Sequence, residues 1–91
     1  MDYLTEFDLK ISLVNGMLIE TGGKFAEFGL QKYMISCLEI AIKYYETTGN
    51  KKNLLDIVYS YIEQYEDAIT WKFYDYEMKF LNMLKTHIEQ L

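Results

Sequence analysis

Cys37 and His87 are the only cysteine and the only histidine in the chain. A thiol beside an imidazole is the simplest nucleophile–base pair such a chain could build. The spacing argues otherwise. Cys37 shares a helical period with Met34, Leu38 and Ala41, an apolar face on which a thiol packs as a small hydrophobe. His87 falls near the end of the last helical stretch, where an imidazolium favours the negative end of the helix dipole. One histidine also excludes, within one chain, the paired Glu-x-x-His sets of a carboxylate-bridged di-iron bundle. Gly22-Gly23-Lys24 lacks the spacing of a phosphate-binding loop and reads as a turn. Neither G-x-S-x-G nor H-E-x-x-H occurs. The expectation is a protein that is not an enzyme, with no catalytic residues, no metal and no cofactor.

Charge and aromatic residues carry the remaining chemistry. Fourteen carboxylates stand against nine lysines and no arginine, a net charge of -5. Residues 53–77 hold six acids against Lys72 alone, which is the whole net charge. Read as one continuous helix, Asp56, Ser60, Glu63, Asp67, Thr70, Tyr74 and Glu77 step by threes and fours. They form a strip opposite the apolar stripe. Tyrosine is abundant, with nine in the chain, and it offers contact area with a polar tip at little entropic cost. Tyr65 and Tyr76 fit the core, whereas Tyr59, Tyr74 and Tyr61 lie off the main stripe. Asp56, Tyr59, Glu63, Asp67, Tyr74 and Glu77 are therefore the predicted partner-binding residues. The bland alternative is a solvated helix face.

These side chains need elements to position them. From about 25 to 48, Leu30, Tyr33, Met34, Cys37, Leu38, Ala41, Tyr44 and Tyr45 recur by threes and fours, predicting a helix with one buried face. Gly49 suits the left-handed residue that ends it, and Asn53 is a candidate N-cap for the next. From 53 to 90 the apolar stripe runs Leu55, Val58, Ile62, Tyr65, Ile69, Phe73, Tyr76, Phe80, Met83, Leu84, Ile88, Leu91, with no proline or glycine. Taken literally it is one helix roughly 55 Å long, with a bend near Thr70-Trp71 as the other reading. Leu4, Phe7, Ile11, Val14 and Leu18 predict an N-terminal helix. Asn15-Gly16 is a strong hairpin signal, so a β-hairpin at 9–21 is the alternative. Neither face of that hairpin is cleanly apolar. The fold class expected is all-α: one domain over 1–91, a small helical bundle built on an antiparallel helical hairpin (about 25–48 and 53–90) plus the N-terminal helix.

Composition bounds the rest. Ninety-one residues, 51% hydrophobic and without proline, make one small domain. The acidic balance argues against direct nucleic-acid binding. An N-terminus with three acids in its first eight residues does not read as a secretory signal, and no apolar run approaches a membrane span. With a single free cysteine, this predicts a cytoplasmic protein without membrane contact. Apolar residues off the main stripe, including Ile57, Tyr61, Ala68 and Trp71, need cover. A last helix of that length outruns the middle helix, and an exposed apolar stripe so long predicts that copies of the chain pack together as a homo-oligomer; otherwise the last helix breaks and closes a three- or four-helix bundle.

The stretch YYETTGNKKNLLDIVYSYIEQYEDAI resembles the helix-turn-helix of tetratricopeptide repeats, with Leu55, Tyr59 and Ala68 at the Leu, Tyr and Ala positions. Asp56 stands where those repeats place glycine and Lys72 where they place an aromatic, and no 34-residue period covers the chain. The resemblance implies a helical hairpin acting as an adaptor. The sequence predicts a small acidic protein–protein interaction module, of the inhibitor, anti-factor or immunity type, docking on a basic partner surface. The alternative is a structural adaptor or oligomerisation subunit.

Overall fold

Asp2 opens the first helix in the computed structural model, which describes residues 2–21, 26–67 and 74–91. The side chains of Ile19, Thr21, Ala26, Glu27, Phe28, Asp67, Tyr74 and Asp75 are not among those described. The Asp2 carboxylate accepts a 2.7 Å bond from the Thr5 amide, closing one of the orphan donors of a helix start. Helix α1 then runs Tyr3–Thr21, straight through Asn15-Gly16. The N-terminal segment is thus helical, and the β-hairpin at 9–21 does not form. Phe7, Ile11, Val14 and Leu18 are buried as their spacing requires.

Helix α2 spans Ala26–Thr48. It ends at Gly49, whose φ of 66° only glycine adopts without strain. The Gly49 amide donates back to the Tyr45 carbonyl at 2.7 Å. The next N-cap is Asn50 rather than Asn53: its side-chain oxygen accepts the Asn53 amide at 3.1 Å, and helix α3 runs Lys51–Asp67. Asn53 instead donates through its side chain to the Tyr44 hydroxyl at 2.9 Å.

The stretch 53–90 is not one rod. Helix α3 stops by Asp67 and helix α4 spans Tyr74–Glu89; Thr70 and Trp71 lie outside the described residues. The two helices run antiparallel and pack closely. The Lys51 ammonium at the start of α3 donates to the Glu89 carbonyl at the end of α4, 3.1 Å away. Midway, the Lys85 ammonium sits 5.8 Å from the centre of the Tyr59 ring. A molecule measuring 37 × 26 × 25 Å has no room for a straight helix of roughly 55 Å. Folding back also removes the length mismatch that had called for a second copy of the chain.

Helices α1 and α2 form the other antiparallel pair, with Lys43 near the end of α2 placed 6.0 Å from the centre of the Tyr3 ring at the start of α1. The two pairs join chiefly through α2 and α4. Although α2 and α3 are joined by a two-residue turn, they scarcely touch beyond it. Among the described residues the result is a small all-α bundle of four helices. Its core combines the α1 residues above with Leu30, Met34, Cys37 and Ala41 of α2, Leu54, Val58 and Ile62 of α3, and Phe80, Leu81, Leu84 and Ile88 of α4. No helix among the described residues is long and apolar enough to cross a membrane.

Candidate partner-binding surface

A loose seam of the bundle lies between α1 and α3, which pack far less extensively than α1 with α2, α3 with α4 or α2 with α4. An open groove of about 340 Å³ follows part of it, lined by Asp8 of α1 and by Asp56, Ile57, Ser60, Tyr61 and Gln64 of α3. Asp8 follows Phe7 in sequence and so flanks the buried stripe of α1. Asp56 follows Leu55 at the edge of the α3 stripe. Each wall of the groove therefore carries one carboxylate, while Ile57 adds apolar surface.

Tyr61 ties the walls together. Its hydroxyl donates to the Asp8 carboxylate at 2.6 Å, with the Asp8 carbonyl oxygen at 3.3 Å. Partial burial, then the bond to Asp8 and the Asp8 charge, push the Tyr61 phenol up to about 12. Asp56 is held by Lys52 one turn earlier, at 3.4 Å. That pair is exposed and worth only about 0–0.5 kcal/mol, so a better cation can replace it.

The predicted docking residues do not share one surface. Asp56 and Glu63 are exposed on the outer side of α3 as expected. Tyr59 is 41% exposed but turns toward α4, under Lys85. The side chains of Asp67 and Tyr74 lie outside the described residues. Glu77 is a correction: it is 1% exposed, on the core side of α4 with Phe80, Leu81 and Leu84. The threes-and-fours count had run through residues 68–73 as though one helix continued. The change of direction resets the phase, so a position read as outward faces inward. Burial, followed by the Glu77 charge, raises the Tyr65 phenol above its ordinary value.

The other reactive side chains sit as their spacing suggested. Cys37 is fully buried, and desolvation pushes its thiol up to about 12, so it carries no thiolate at neutral pH. His87 is exposed on the last turn of α4. Among the described residues no group of three His, Cys, Asp or Glu side chains comes together as a metal site.

Asp8, Ile57, Gln64 and the pairing of Tyr61 with Asp8 were not foreseen. The groove exists because α1 meets α3, and no local spacing encodes that meeting. What the fold and surface define is a small acidic four-helix bundle with a carboxylate-walled groove. No protein-family model matches the chain, and neither a curated protein nor a solved structure matches it.

Proposed function

We propose that this protein is a small acidic interaction module that docks on a basic surface of another protein, in the manner of an inhibitor or anti-factor. The observation that carries the reading is the α1–α3 groove, with one carboxylate on each wall, no cation among its described lining residues and only the exposed contact from Lys52 on Asp56. A lysine or arginine side chain entering it would lay its aliphatic stem on Ile57 and its charge between Asp8 and Asp56. Glu63 and Glu66, both exposed on α3, would steer such a partner from a distance.

The test is a titration of the isotope-labelled protein with an arginine-rich peptide, at low and at high salt. Amide shifts are expected first at Asp8, Asp56, Ser60 and Gln64, with affinity falling as salt rises. Asp8→Asn with Asp56→Asn should weaken binding by about tenfold or more at low salt. Shifts spread evenly over every acidic residue, unaffected by that double substitution, would defeat the reading.

The alternative, a helical adaptor or oligomerisation subunit, no longer draws on a helix-length mismatch. It draws on apolar side chains left on the outside of α1.

A further inference from the structure

Along α1, the residues Glu6, Leu9, Leu13, Met17 and Glu20 step by three, four, four and three. That is the spacing of a single helix face. It lies opposite the face formed by Phe7, Ile11, Val14 and Leu18, all buried. Leu9 is 48% exposed, Leu13 64% and Met17 39%. The row is therefore an apolar strip of roughly 21 Å, measured between its two terminal carboxylates. No ion pair holds either Glu6 or Glu20 among the described residues.

We infer that this row is a docking site for an amphipathic helix of another protein, one whose own apolar row is bracketed by a cationic side chain at each end. The charge pattern selects that occupant. A second copy of the chain presents the same row. Antiparallel pairing centred on Leu13 places Leu9 against Met17 but Glu6 against Glu20, at both ends. Parallel pairing places each glutamate against itself. Both arrangements set like charges across the seam, which is unfavourable. An anionic lipid surface meets the same two carboxylates. A helix with lysine or arginine at the matching spacing buries the same leucines and gains an ion pair at each end. Gly16, on the adjacent side of α1, faces open space.

This inference does not rest on the α1–α3 groove, because none of the row residues lines it. The probe is a synthetic helical peptide with leucine at i, i+4 and i+8 and lysine three residues beyond each end. A companion peptide carries glutamate in place of both lysines. The lysine peptide is expected to bind in the micromolar range and the glutamate peptide at least about tenfold more weakly at low salt. Leu13→Gln should cost about tenfold or more while circular dichroism stays unchanged, since the side chain is outside the core. Glu6→Lys with Glu20→Lys should reverse the order of the two peptides. Asp8→Asn with Asp56→Asn, which tests the groove, should leave the order intact. Binding that survives Leu13→Gln, or an order that the charge swap does not reverse, would overturn the assignment. So would light scattering that shows a dimer which Leu13→Gln returns to the chain mass of 10.9 kDa, because the occupant would then be a second copy.

Discussion

Helices α1 and α3 are neighbours, and each has one face on the core and one turned outward. On α3 the division follows solubility: Leu54, Val58 and Ile62 are buried, while Asp56, Ser60 and Glu63 are exposed. On α1 it does not. The core face includes Asn15, 2% exposed and without a hydrogen-bond partner for either side-chain polar atom among the described residues, while the outer face carries Leu9 and Leu13. A polar group inside and leucines outside is the reverse of what folding alone rewards. Helix α3 is arranged for stability with a charged outside, whereas α1 keeps an arrangement that stability does not explain. A partner along its outer row would explain the leucines. The buried Asn15 has no such account.

Substitutions on the two helices test that contrast. The largest effect should come from setting the two faces of α1 against each other. Phe7→Ala should cost about 3–5 kcal/mol in urea unfolding, whereas Leu13→Ala should cost no more than about 0.5 kcal/mol. Comparable losses would mean that the outer row is part of the core after all. Next, Asn15→Leu should stabilise the fold by about 1 kcal/mol, because it replaces an unpaired buried amide with an apolar side chain of similar size. A destabilised variant would show that the amide has a partner, such as a buried water.

The bridge between the two helices comes third. Tyr61→Phe should cost about 1 kcal/mol at neutral pH by removing the bond to Asp8. It should also alter the alkaline limb of the stability profile. The folded phenol keeps its proton up to about 12, whereas the unfolded one loses it near the ordinary value of 10. Stability therefore falls as pH rises from 10 toward 12, and the phenylalanine variant should lose less over that window. Equal slopes for the two proteins would remove Tyr61 as the linker of α1 and α3.

The smallest effect belongs to the α1 cap. The bond from the Thr5 amide holds the Asp2 carboxyl below its ordinary value of 3.8. Its contribution is complete above that value and is lost as the pH falls through the lower, folded one. Asp2→Ala should lower the melting temperature at neutral pH, and the gap to the parent protein should close in acid. A gap that persists at the lowest pH would point to a helix-propensity effect instead.

Much of the fold was legible in the sequence because three of its helices bury a stripe of strict period. The four α1 core residues and the four of α2 all fall where threes and fours place them. The reading failed where a local count was carried across a change of direction. Between Asp67 and Tyr74 the sequence has no glycine or proline to announce that α3 and α4 are separate, so a continuous count puts Glu77 on the outside. At Leu54 and Leu81 adjacent apolar residues, or ones two apart, blur the period; Leu55 and Met83 looked equally good and end only partly buried. Asn15-Gly16 signalled a turn, yet burial of the α1 stripe outweighed that local preference. Of the candidate surface, the outward side of α3 was readable as far as Glu63, but the groove was not, since Asp8 and Asp56 are 48 positions apart.

The uneven closure of the bundle has a kinetic side. Each hairpin is assembled from neighbours in sequence, and the two meet along α2 and α4 as along the spine of a book. Most contacts span short stretches of chain, which favours fast folding in two cooperative halves. The open edge of the book is α1 against α3, bridged on its outer side by the bond from Tyr61 to Asp8. Amide hydrogens of α1 should then exchange through brief openings that leave α2 and α4 protected. The same openings would widen the groove and free the outer row of α1 to shift, so this edge is well placed to adapt to what it binds.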